Sequence, residues 1–208
     1  MNCDFCAELA AQSGTRFRSI YAGLLESRIA LRNARFAALP TIGQLLEGSY
    51  LVIPTNHIEK YADLPKSERD NALGFLVEIE DRLRPYGPTI TYEHGASCAS
   101  GMGCGVYHAH IHIVPLPRDL SVDDLGVKFS PALGLVDAWD AVSSASEYLV
   151  LRDTFGQVGL VSRATVDAPL GSQFMRKRLV EMFGLNAPWD WREYRLPEEK
   201  LIRSLSLL

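Results

Sequence analysis

Three of the chain's five histidines fall within five residues, at His108, His110 and His112. In an extended strand, alternate side chains share a face. A strand over Tyr107 to Leu116 therefore sets three imidazoles in a row, starting roughly 6–7 Å apart at the usual rise per residue. The same alternation turns Ala109, Ile111 and Ile113 the other way, toward a core. A chain built on this strand must bury one face of a sheet and leave the other able to meet a ligand. The bare pattern is open to three readings. It could be a polar strand face that uses histidine. It could be a mononuclear metal site of the His-x-His kind, for which the next acid in the chain is Asp119. It could also be a site where one imidazole binds metal or phosphate while its neighbour attacks.

The rest of the composition narrows the setting. With 208 residues and 47% apolar content, the chain can bury a sizeable core and is not disordered as a whole. Its 21 basic and 25 acidic side chains give a net charge of −4, which excludes a domain held on nucleic acid by bulk positive charge. No apolar run approaches the roughly 18 residues of a membrane span. The first residues also lack a basic region followed by an apolar stretch. A cytoplasmic protein without membrane partners is the expectation. Residues 170–208 differ in balance, with seven basic and five acidic side chains.

Element signals alternate along the chain. Residues 4–12 read as a short helix. Arg28 to Ala34, Phe36 to Ile42 and Tyr50 to Pro54 read as strands. Ser67 and Asp70 resemble a capping box, and Leu73, Leu76, Ile79 and Leu83 follow at helical spacing before a stop near Pro85, Gly87 and Pro88. Thr89 to Tyr92 is a strand, and the glycine-rich stretch over 95–105 a loop. Residues 117–146 are weakly patterned and read as a long loop with a turn of helix. Glu147–Leu151 and Gln157–Val161 flank Asp153 to Gly156 as a hairpin. Ser172 to Phe183 reads as a helix stopped by Gly184. Antiparallel-type strands around one central helix give the class α+β.

Cys3 and Cys6 form a Cys-x-x-Cys, and Cys98 and Cys104 stand apart. In a cytosolic chain of this size such a pair suits metal binding or redox chemistry better than a structural disulfide. Inert thiols are the remaining possibility.

The run His108-Ala-His110-Ile-His112-Ile-Val resembles the signature of the histidine triad (HIT) superfamily. Supporting features spread over most of residues 3–116. They are Cys3-x-x-Cys6, the strand Leu51 to Pro54 leading to His57 and Ile58, the Tyr61 to Leu64 stretch, and Gly103-x-Gly105-x-Tyr107 before the triad. The resemblance implies an antiparallel sheet packed with helices, commonly a homodimer, over residues 1–118. Residues 119–208 would then be a C-terminal hairpin-helix extension packed on it. It also implies a nucleotide hydrolase, acting on a nucleotide or dinucleoside polyphosphate through a nucleotidyl-histidine. His110 would be the nucleophile at the α-phosphorus, His112 would contact the phosphate oxygens, and His108 would complete the catalytic strand. A structural Zn2+ would be held by Cys3, Cys6, His57 and His108. Gly103 and Gly105 would bring backbone amides to phosphate.

Some positions depart from the pattern. Gly105 stands where many members carry Ser or Thr, and no acid stands near Pro40 and Thr41, where many members hold ribose. Glu93 and His94 replace a common Asn and are candidate nucleotide-binding groups, with an exposed loop pair as the alternative. Arg176, Lys177 and Arg178 read as a solvated helix face, with reach to polyphosphate as the alternative. These departures leave open a catalytically quiet nucleotide-, RNA- or partner-binding module, and a nucleotidyltransferase or phosphorylase.

Overall fold

The computed structural model describes residues 3–98, 106–162, 170–193 and 195–208. The N-terminal segment forms two short helices, α1 (Asp4–Leu9) and α2 (Arg16–Ile20), the second capped by Thr15, whose hydroxyl accepts the Arg18 amide at 3.2 Å. β1 (Leu31–Arg32), β2 (Phe36–Pro40) and β3 (Tyr50–Pro54) follow, then α3 (Lys66–Leu83), β4 (Thr89–Ala96) and β5 (Ile111–Pro115). Beyond them come β6 (Ser130–Ala132), α4 (Leu135–Ala141), β7 (Glu147–Arg152), β8 (Val158–Ser162), α5 (Phe174–Phe183) and α6 (Glu198–Leu205). The class is α+β. The eight strands make one sheet in the order β1-β2-β3-β5-β4-β7-β8-β6, every pair antiparallel.

Both faces of the sheet are covered, and strand alternation decides what each receives. One face meets α3 and α4. There Val52, Ala109, Ile111, Ile113, Tyr148 and Val150 pack with Leu76, Ile79 and Trp139. On the other face, Ile90, Tyr92, Val114, Leu149 and Leu151 pack against Met175 and Leu179 of α5. The chain beyond residue 118 thus extends the sheet, through β7 pairing with β4 from Thr91 to Ala96, and also covers its second face. Its last turns return to the start of the chain, where the Tyr21 hydroxyl donates to the Leu196 carbonyl at 2.7 Å and Tyr50 donates to that of Ser204.

Several expected boundaries shift. α3 begins at Lys66 with Pro65 as its N-cap, so Ser67 and Asp70 lie inside the helix and form no capping box. Proline's fixed φ suits a helix start without a side-chain cap. The strand expected over Arg28 to Ala34 shrinks to Leu31–Arg32, because the tight turn before Phe36 ends the pairing. The region over 117–146 carries β6, α4 and a capped turn at Val122–Leu125, more structure than its weak pattern predicts. Among the described residues, no helix is long and apolar enough to cross a membrane.

Candidate functional site

The histidine run keeps its two-sided character while leaving the ladder. β5 begins at Ile111, not Tyr107: Val52 opposite Ile111 is the last pair with β3, and β4 beyond Tyr92 pairs with β7 alone. Residues 108–110 are held by other bonds. The Ala109 amide donates to the Ile58 carbonyl at 2.6 Å, and Ala109 still points into the α3 core. The three imidazoles stay on the opposite side, each in different company.

His112 lies between Leu51 and Tyr92 in the sheet and stacks on the Tyr92 ring, centroids 4.5 Å apart and 6° from parallel. Burial, then the neighbouring His110, Arg176 and His94, hold it well below its ordinary range, so it is neutral near pH 7. His110 is 8% exposed, its ring centroid 5.3 Å from that of His112 and 5.8 Å from that of Phe5. Its Nδ1 lies 2.7 Å from the His108 carbonyl oxygen. A carbonyl only accepts, so Nδ1 carries a hydrogen, and in the neutral ring Nε2 carries the lone pair.

His108 is fully buried and faces the cysteines. Its Nε2 donates to the Pro54 carbonyl at 2.9 Å, which leaves Nδ1 as the lone-pair atom. Cys3 Sγ lies 3.3 Å and Cys6 Sγ 3.5 Å from that Nδ1, and Cys6 Sγ is 3.4 Å from His57 Nδ1. The four ligand atoms lie within 4.8 Å of one another. Ligands sharing one tetrahedral zinc sit roughly 3.3–3.8 Å apart, so the set fits that ion with little movement. The chemistry of the set agrees. Burial holds His108 down to about 4, neutral as a metal ligand must be. Burial and the adjacent Cys3 push the Cys6 thiol up to about 11, a penalty on thiolate that a bound cation reverses. Cys2His2 is a closed set with no open position, suited to a structural role.

A cavity of about 520 Å³ opens in front of these groups, with His110, His112 and His94 in its wall. The extension contributes part of the lining, through Gln173, Met175, Arg176 and Trp191. Among the described residues, four arginines reach it (Arg16, Arg28, Arg176 and Arg192) against one acid, Asp4. Arg28 is committed to a buried two-bond pair with Glu8 at 2.7 and 2.8 Å, and Arg192 pairs with Asp190 at 3.0 Å. Arg16 lies over the Trp191 ring at 4.5 Å, and its buried Nε has no partner among the described residues. Among the described residues the lining thus holds more basic than acidic side chains, in a chain whose net charge is −4.

The candidate residues separate. Glu93 turns away from the cavity into the α3 core, where it is 2% exposed. It accepts the Tyr61 amide at 2.8 Å, the Trp139 indole at 2.9 Å and the Tyr148 hydroxyl at 2.7 Å. The reason is strand parity: Tyr92 and His94 share the cavity face, and Glu93 lies between them on the other. His94 faces the cavity with its Nε2 2.9 Å from Glu147 Oε1. Next to it, Tyr148 crosses Gly95 so closely that a Cβ there would meet the ring at 2.3 Å. Gly103 and Gly105 lie outside the described residues, as does Cys104. Arg176 is 7% exposed and donates from Nε to the Trp189 carbonyl, so it is part of the cavity wall and not of a solvated face. Lys177 covers the Trp189 ring at 4.3 Å, and Arg178 pairs with Glu181 at 2.8 Å. Glu147 and Arg16 gave no sequence signal, because each reaches the site from a distant part of the chain.

No protein-family model matches this chain, and no curated protein does. Solved structures similar to it include histidine triad proteins. A zinc-bound histidine triad family protein from Mycobacterium smegmatis aligns at 20% identity over 55% of this chain and 75% of its own, with a TM-score of 0.41. A HIT family member from Bacillus subtilis aligns at 23% identity over 55% and 73%, TM-score 0.42. A HIT family protein from Bacillus anthracis aligns at 19% over 55% and 72%, TM-score 0.43.

Proposed function

We propose that this histidine triad-like chain is a nucleotide hydrolase, cleaving a phosphoanhydride or phosphoramidate at the α-phosphorus through a nucleotide bound covalently to His110. The observation that carries this reading is the bond from His110 Nδ1 to the His108 carbonyl, which leaves Nε2 as the lone-pair atom of the neutral ring in the wall of an arginine-lined cavity. Neutral imidazole needs no deprotonation to attack. His110 Nε2 forms the N–P bond as the leaving group departs with its electron pair. Water then attacks phosphorus, and the N–P electrons return to Nε2. His112, neutral and braced by Tyr92, offers a hydrogen bond to a phosphate oxygen where charge is redistributed. Arg176 and Arg16 supply local positive charge for the other phosphates.

The test is to mix the protein with a dinucleoside polyphosphate, denature it at alkaline pH and weigh its peptides. One nucleotidyl group on the peptide bearing His110 is expected. Its absence during active turnover overturns the covalent route, and release accelerated by phosphate or a sugar phosphate instead of water marks a transferase. Binding without turnover marks the quiet module.

In the same reading Cys3, Cys6, His57 and His108 hold a structural zinc that ties α1 to the strand carrying His110. Zinc bound there supplies rigidity; the nucleophile and phosphate contacts come from the chain. Chelator-free protein is expected to contain about one zinc per chain by elemental analysis, and His57→Ala to contain clearly less. A wild-type content far below one counts against the ligand set. The homodimer implied by the triad resemblance would need a surface other than the outer strands, which are two residues long at β1 and three at β6.

A further inference from the structure

We propose that His94, oriented by Glu147, is the proton-transfer residue of this site. The inference rests on the nucleotidyl-His110 reading and adds the step that reading lacks, since expelling an amine or alkoxide requires a proton on the leaving atom.

Four observations converge. The β4–β5 register sets Tyr92 opposite His112 as its last pair, and strand parity puts His94 on the same face of β4 as Tyr92, the face that bears the triad imidazoles. Both rings line the cavity. Glu147 reaches His94 from the neighbouring strand β7, its Oε1 2.9 Å from His94 Nε2, with the two side chains 2% and 8% exposed. Glu147 Oε2 is buried with no hydrogen-bond partner, so the carboxylate has no competing attachment among the described residues. A carboxylate held on one ring nitrogen fixes the imidazole's orientation and stabilises positive charge on the ring, as in acid–base triads. The other nitrogen, Nδ1, makes no hydrogen bond among the described residues and is the atom left for a reactant.

Other lining groups suit the task less well. Arginines do not release protons near neutrality. Cys3 and His57 belong to the metal cluster, Asp4 accepts the Arg16 amide at 2.9 Å, and His112 is neutral and stacked. In the first step His110 Nε2 forms the N–P bond, the P–X bond breaks toward X, and the His94 Nδ1 proton passes to X. In the second, water forms the O–P bond, its proton passes to His94 Nδ1, and the N–P electrons return to His110. Protons and electron pairs balance over the cycle, and no co-reactant besides water is needed.

The experiment compares two leaving groups in His94→Gln and Glu147→Gln proteins. One substrate is a nucleoside 5′-phosphoramidate of an alkylamine, which cannot leave without a proton. The other is a nucleoside 5′-p-nitrophenyl phosphate, whose phenolate leaves as the anion. Because kcat/KM reports events up to leaving-group departure, His94→Gln is expected to lower it about 10²- to 10⁴-fold for the amidate. For the nitrophenyl ester the loss should stay below about tenfold, with a burst of one equivalent of nitrophenolate before a slow steady state. Glu147→Gln should show the same asymmetry, smaller in size, and serves alone if His94→Gln does not fold. Equal losses on both substrates in the folded variants overturn the assignment. His110→Ala separates the two levels: if it still turns over either substrate, the covalent reading itself fails, whatever His94 does.

Discussion

Replacing His110 with alanine is expected to lower hydrolysis of a dinucleoside polyphosphate by about 10⁴-fold or more, the scale seen when a covalent nucleophile is removed. The size follows from the geometry. His110 has its Nδ1 tied to a backbone carbonyl, so its Nε2 is fixed as the attacking atom. His112→Ala should cost less, about 10²- to 10³-fold, because it removes one donor to a phosphate oxygen and not the bond-forming atom. Steady-state release of nucleoside monophosphate measures both. Zinc content and melting temperature of the variants confirm that the strand is intact. A His110→Ala protein within tenfold of wild type would falsify the proposed mechanism.

The second large effect concerns stability. Glu93→Leu leaves the Tyr61 amide, the Trp139 indole and the Tyr148 hydroxyl buried without their acceptor. Breaking one partner out of a buried polar cluster costs roughly 3–5 kcal/mol. For a chain of this length that lowers the melting temperature by about 6–20 °C. The same carboxyl gives a pH signature. Burial raises it from 4.5 to about 7, against the pull of its three donors and His110. The folded state therefore holds this proton more tightly than the unfolded state. Its contribution to stability is fully present below about 4.5 and is lost as pH rises through about 7. Thermal melts of wild type and Glu93→Gln at pH 5 and pH 8 measure this directly. The margin of wild type over the variant should shrink at the higher pH. A margin that is constant, or grows, contradicts the assignment.

Glu93 and His94 show how far the sequence could be read. Both stood out as replacements for an Asn of the triad pattern, just past the strand expected to end at Tyr92; β4 in fact runs to Ala96, and its parity turns them opposite ways. Which of them meets the cavity depends on the register of β4 against β5, where Tyr92 lies opposite His112. Adjacent positions thus take different fates, one a core carboxylate under Trp139 and the other a cavity imidazole. The Cys-x-x-Cys was legible for a different reason. The triad resemblance supplied its partners, His57 just after the end of β3 and His108 at the head of the triad, and the fold brings the two thiols and two imidazoles within 4.8 Å. Arg176 misled because amphipathic spacing identifies a helix face but not what packs on it. Once α5 lies across the sheet, that face is cavity wall.

The three crowded histidines remain the centre of the protein. Sequence by itself determined that they share a side, that Ala109, Ile111 and Ile113 occupy the other, and that the class is α+β, since strand parity and hydrophobic alternation are local properties of the chain. Tertiary structure alone decided that the ladder stops at Ile111 and that each imidazole is given a separate neighbour: the cysteines for His108, the His108 carbonyl for His110 and Tyr92 for His112. It also decided that Glu147 reaches His94 and that Arg176 closes the cavity. Glu147 and His94 stand 53 positions apart and Cys3 and His108 105 apart, and such contacts depend on strand order and helix packing that no local pattern encodes.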